Sequence, residues 1–280
     1  MEPYEQLMGE QFVQRVALAA TLEQRANTAV LAQTPGTQLR DRLIKIPFGE
    51  DAFAAASFQL GAAINSMRGL ELMTIRVVRQ GLASDMQIDA SVTVNAAAGL
   101  LRQAVECATW ACWLLEPEDP GEITVRGFAA AWLNGLEALK HAKALNGPDL
   151  IATGNAMNQL VVDGQALELL RKDSGSAPPW APRRAMQDLS GILRRIQITD
   201  LHDVEVGAVL GPGAANGEWV YRWLSGMAHG HSWVHSTEVA DGAAGQVGFV
   251  STTVDWFRMS VSASLATQLI HSAIMRLETA

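Results

Sequence analysis

The segment from about Asp89 to Leu115 constrains the fold more than any other. Val92, Leu100, Leu101, Val105, Trp110 and Leu114 occupy almost every side of its helical wheel, and Pro117 ends the run. A helix that is apolar nearly all round has no outward face, so it must stand at the centre of a packed protein. One stripe departs from this pattern. Asn95, Arg102, Glu106 and Thr109 fall within about 60° of each other at helical pitch. Arg102 and Glu106 stand four apart and can pair. A bare buried charge is costly, so the stripe needs a polar partner. It faces another helix's polar stripe or a wet cleft, or else it forms an internal structural ion pair.

The same helical period recurs along the chain. A first helix is expected from about Tyr4 to Gln33, ended by Thr34-Pro-Gly36. A polar connection from Thr37 to Glu50 follows, where Pro47 discourages a helix. Asp51 can cap a long helix reaching Gln80, with Gly81 as its stop. Leu60, Ile64, Met67 and Leu72 keep its apolar spacing. Pro120-Gly121 reads as a turn, followed by a helix over Thr124–Leu145. Asp149 can cap another helix to about Lys172. Residues 174–182 form a loop or linker, and a locally basic helix from Arg183 to Ile196 comes next. Its Arg183-Arg184 and Arg194-Arg195 are either a solvated face or a seat for an anionic partner. A short helix is expected over Asp203–Val209, and a small hairpin or loop near 237–250. The last helix runs from about Thr253 to Glu278, and opposite its apolar side Ser260, Ser264, Thr267 and His271 keep a small or polar side that allows close helix approach. The expected fold is therefore all-α: a single multi-helix bundle of about eight to ten helices, forming one helical domain over 1–280. Its centre is expected to combine the Asp89–Leu115 helix with one over Asn216–Gly230.

Composition agrees. With 49% hydrophobic and only 6% aromatic residues, and alanine abundant, close-packed helices suit the chain better than sheets. A formal net charge of −8 argues against a general nucleic-acid binder, general DNA binding included, and against adhesion to a membrane surface, while leaving room for a local basic site. The uncharged run Met259–Met275 is rich in serine and reads as a packed helix, so no membrane span is expected. The acidic N-terminal residues lack the apolar run of a signal peptide. Cys107 and Cys112 would point about 140° apart on a helix and read as small core residues in a reducing compartment. A cytoplasmic location is expected.

Chemistry concentrates between Glu218 and Trp233. On a helical wheel Trp219, Val220, Trp223, Leu224 and Met227 share one apolar arc. Glu218, Arg222, Ser225 and His229 cluster within about 60° on the other side, with Tyr221 at the border. Arg222 and His229, two turns apart, point nearly the same way. A histidine exchanges protons near neutral pH, and an arginine holds an anion with two teeth. Together they could cleave a phosphodiester without a metal. The plain alternative is a surface helix on which Glu218 and Arg222 form an ordinary i,i+4 pair. No phosphate loop, nucleophile elbow or dinucleotide fingerprint occurs, so no cofactor is implied. His229, His231 and His235 with Glu106 lack a firm ligand spacing, so no metal is expected.

Arg222-Trp-Leu-Ser-Gly-Met-Ala-His229 resembles the R-x(4–6)-H motif of HEPN proteins, a superfamily of helical bundles. The resemblance implies a metal-independent RNA endonuclease of defence or toxin type. It also implies a homodimer that joins two copies of the motif. Arg222 and His229 would be catalytic. The wider pattern Tyr221-Arg-x-Leu-Ser-x-x-x-His-Gly230 is similar to that of a group of bacterial helical proteins of unassigned function. These pair it with an earlier helix reading Arg-x-x-x-Glu and then a tryptophan, here Arg102, Glu106 and Trp110 or Trp113. Tyr221, Ser225, Arg102 and Glu106 are the supporting residues on that comparison. Trp223 stands where HEPN proteins commonly have Asn, Asp or His, and some members with altered motifs bind without cleaving. The alternative is thus a non-catalytic binding or regulatory module, with Arg102, Glu106, Arg222 and His229 structural.

Overall fold

The structure, a computed structural model, describes residues 3–32, 38–83, 90–145, 149–170, 189–195, 217–228 and 256–279. The described residues are mostly helical with no strand, so the all-α expectation holds. The helices are α1 (Pro3–Ala32), α2 (Gln38–Leu43), α3 (Gly49–Ala83), α4 (Ala90–Leu115), α5 (Pro120–Leu145) and α6 (Asp149–Ala166). They are followed by α7 (189–195), α8 (Gly217–Ala228) and α9 (Trp256–Thr279). The loop or linker at 174–182, the helix over Asp203–Val209 and the hairpin or loop at 237–250 lie outside the described residues.

Several boundaries differ from the sequence expectation. The polar connection contains the short helix α2, and Pro47 falls in the turn after it rather than in a helix. α3 passes through Gly81, since one glycine costs only about 1 kcal/mol within a helix. α5 starts at Pro120 rather than Thr124. Asp119 Oδ2 accepts the Glu122 amide at 2.8 Å, and Pro120 takes the first helical position, where a missing N–H is no loss.

α3 and α4 form the most extensive helix pair. Ala52, Ala56, Leu60, Ala63, Met67 and Leu70 of α3 are buried, at four- and three-residue steps. They pack toward Ala98, Leu101, Ala104, Val105 and Ala108 of α4. Leu72, read as part of the apolar stripe, is instead largely exposed. At the end of α4, Arg126 of α5 donates to the Trp113 carbonyl at 2.6 Å and pairs with Glu116, which closes the helix with positive charge.

The centre is not the expected one. α9 joins α4 there, packing against α1 and α4, and Met259–Thr267 is buried without interruption. Ser260, Ser264 and Thr267 are buried, the close helix approach expected of small residues there, while His271 is exposed. Ser262 donates to the Arg258 carbonyl at 2.7 Å and Thr267 to the Ala263 carbonyl at 2.8 Å, so both fit as small core residues. None of the described helices is long and apolar enough to cross a membrane.

A second, smaller apolar cluster joins α5 to α6 through Phe128, Trp132, Met157 and Leu170. Phe48 packs on it from the turn before α3, with a positive φ of 59°. Its carbonyl oxygen lies 2.0 Å from where a Cβ on Gly127 would be, so only glycine fits there.

Candidate functional site

α8 keeps its apolar residues to one side. Val220, Trp223, Leu224 and Met227 are buried, while Arg222 faces out. Two contacts seat it. Gly217 lies against α7, where an added Cβ would stand 2.8 Å from the Leu193 carbonyl oxygen. On the other side the Arg258 guanidinium of α9 sits 5.8 Å from the ring centres of both Trp219 and Trp223.

The remaining side of α8 borders a cleft of about 480 Å³ between α4, α7 and α8. Glu106 and Thr109 line it from α4, Leu189, Ser190 and Leu193 from α7, and Glu218, Tyr221, Arg222 and Ser225 from α8. A second cavity of about 420 Å³ shares Glu106 and adds Gln59, Arg102, Gln103, Cys107 and Trp110. The polar stripe of α4 therefore lies along an open groove, as one of its sequence readings required.

Arg102 and Glu106 do pair, with Arg102 Nη2 3.7 Å from Glu106 Oε2. The pair is not buried, since the side chains are 28% and 42% exposed. That is why both charges are tolerated on an otherwise apolar helix. Thr109 is buried in the cleft wall, its hydroxyl donating to the Val105 carbonyl at 2.6 Å. Tyr221 links the two helices. Its hydroxyl donates to Glu106 Oε2 at 3.2 Å, and the Arg102 guanidinium lies 5.9 Å from its ring centre. Burial first, and then the charge of Glu106, push the Tyr221 phenol above its ordinary value, while Arg102 opposes the rise.

At the cleft mouth Glu218 binds two arginines. Arg194 of α7 reaches it through both Nε and Nη2, and Arg222 Nη2 lies 2.8 Å from Oε1. These bonds, Arg194's first, hold the Glu218 carboxyl at about 2, well below the usual carboxylate range. The sequence exposes the Arg222 pairing through its four-residue spacing. The Arg194 pairing, across 24 positions, carries no such signal. The lining residues of α7 and the stacking of Arg258 were likewise invisible to it.

Among the sequence candidates, Arg222, Tyr221, Ser225 and Glu106 meet in one cleft, and Arg102 lines the adjoining one. His229, with His231 and His235, lies outside the described residues. Among those that are described, no group of three or more His, Cys, Asp or Glu side chains is arranged to hold a metal. Cys107 and Cys112 are both free thiols, and Cys112 is buried with its Sγ 3.3 Å from the Leu269 carbonyl oxygen. The class of protein defined by these features is an all-α bundle with a polar cleft between its helices. No protein-family model, no curated protein and no solved structure matches the chain.

Proposed function

We propose that the chain is a HEPN-like cytoplasmic protein of a defence or stress response that binds RNA in the α8 cleft and cleaves it without a metal. The observation that carries the reading is the position of Arg222. Its side chain is 71% exposed at the mouth of a cleft, not committed to the core. An exposed guanidinium can take a phosphodiester with two teeth and stabilise the charge of a phosphorane. His229 follows α8 directly in sequence and supplies the proton exchange. It takes the 2′-hydroxyl proton as the 2′ oxygen bonds to phosphorus. The phosphorus–5′ oxygen bond breaks, and the leaving oxygen recovers a proton from the imidazolium or from water. Tyr221, Ser225, Arg102 and Glu106 shape the cleft and fix the α4–α8 spacing. A homodimer that brings two α8 helices together completes the reading.

Incubation of labelled RNA with wild type, His229→Ala and Arg222→Ala, all with EDTA present, tests it. Cleavage by wild type, lost in both variants, is expected. No cleavage by wild type, or equal cleavage by wild type and His229→Ala, overturns the catalytic reading. A second reading, a non-catalytic binding module, is favoured by the Tyr221–Glu106 bond, which ties the same polar residues to helix packing. It predicts RNA binding, or none, with no cleavage under any condition.

A further inference from the structure

Two guanidiniums converging on one carboxylate at a cleft mouth is also the geometry with which proteins hold a phosphate. We propose that Arg194 and Arg222 form a phosphate clamp for the RNA backbone and that Glu218 is its internal competitor, the anion the clamp holds until a phosphate displaces it. The proposal rests on the RNA reading of the same cleft and adds to it Arg194 as a binding residue and Glu218 as a gate.

Three observations support it. The two arginines come from different helices, α7 and α8, yet meet on the same carboxylate. Both are open to incoming ligand, at 61% and 71% exposure, whereas Glu218 beneath them is 14% exposed. The cleft behind them offers Ser190 and Ser225 hydroxyls for the remaining phosphate oxygens. Glu218 stays ionised at any physiological pH, so release comes by anion competition and not by protonation. Once displaced it remains in the first turn of α8, where a negative charge is favoured by the helix dipole. That lowers the cost of letting it go. The same exchange loosens the tie between α7 and α8, so ligand binding and the position of α7 are coupled.

The test is equilibrium binding of a 2′-O-methyl RNA oligonucleotide, which cannot be cleaved through its 2′ oxygen, and separately of inorganic tripolyphosphate. The proteins are wild type, Glu218→Gln, Arg194→Ala and Arg222→Ala, each at several salt concentrations. Glu218→Gln is expected to tighten binding of both probes by about fivefold or more, as charge-assisted bonds are freed. Arg194→Ala and Arg222→Ala are each expected to weaken it by about tenfold. For the RNA, each is also expected to reduce the salt slope by about 0.7. The two arginines are exposed, so their variants report even if Glu218→Gln fails to fold. Binding of either probe that is unaffected by Arg194→Ala, or is not tightened in a folded Glu218→Gln, overturns the clamp. RNA cleavage that survives Arg194→Ala with unchanged RNA affinity leaves the RNA reading standing and the clamp refuted. Tripolyphosphate binding with the expected variant pattern, without RNA binding, leaves the clamp standing for free polyphosphate and refutes the RNA reading.

Discussion

The Tyr221 hydroxyl of α8 donates to Glu106 Oε2 of α4 across 3.2 Å, a hydrogen bond that joins the two candidate helices. The phenol is held above its ordinary value, so the folded state prefers it protonated. A group raised on folding contributes stability below its unfolded value, and that contribution is lost as pH climbs. Thermal melts of wild type are therefore expected to fall once pH exceeds about 10, the ordinary tyrosine value. Tyr221→Phe should show a shallower alkaline decline. An identical decline in both proteins would remove Tyr221 as its cause.

Arg102 pairs with Glu106 across 3.7 Å and lies over the Tyr221 ring, and its side chain is partly open to water. Arg102→Ala should cost no more than about 1 kcal/mol in a urea melt. A loss above about 2 kcal/mol would mark the Arg102–Glu106–Tyr221 cluster as a structural lock and weaken its assignment to a binding groove.

Glu218 gives the opposite pH dependence. Its carboxyl is lowered from 4.5 to about 2 on folding, so its contribution is present above 4.5 and disappears as pH drops toward 2. In acid titrations followed by circular dichroism, Glu218→Gln should lack part of the wild-type loss in that interval. Because both arginines are exposed, high salt should shrink the difference between the two proteins. A difference that persists at high salt would point to a buried origin instead.

Gly217 sets how closely α7 approaches α8. In Gly217→Ala the new Cβ would meet the Leu193 carbonyl oxygen at 2.8 Å and Leu265 Cδ1 at 3.2 Å. A backbone carbonyl cannot swing aside as a side chain can, so the helices must separate. The expected loss is about 1–3 kcal/mol, with faster amide exchange in 189–195. Unchanged exchange there would show that α7 is held by its ion pairs alone.

Both thiols should be slow to react. Burial pushes Cys112 up to about 12, and burial with the Glu106 charge pushes Cys107 up to about 11. At pH 8 an aromatic disulfide reagent should label neither promptly until denaturant is added. Glu106→Gln should speed labelling at Cys107 and not at Cys112. Equal acceleration at both sites would indicate general loosening rather than loss of one charge.

Much of the helix order could be read from periodicity alone, because a 3.6-residue apolar repeat reports which side of a helix is covered. The long helices begin and end within a few residues of expectation wherever they are described, except where Asp119 caps α5 four residues early, where α3 runs through Gly81, and where α6 stops at Ala166 and turns through Glu168, at a positive φ of 59°, instead of reaching Lys172. Periodicity misjudged Leu72, whose spacing matches the stripe but which is exposed. It read α9 correctly as a helix whose small residues let its neighbours approach closely: Ser260, Ser264 and Thr267 are buried, and Ser262 and Thr267 bond their own helix.

The sequence by itself determined that this chain is a bundle of helices, that α4 lies near its centre, and that Arg102 and Glu106 need polar surroundings. These are local properties, set by residue type and spacing within one helix. Only the tertiary structure decided that the pair lies in an open groove, that Tyr221 reaches Glu106, and that Glu218 draws Arg194 as well as Arg222. Each of those contacts joins helices separated by tens of residues. Their geometry depends on how whole helices dock, and docking is set by shape and close packing, down to the lack of a Cβ at Gly217.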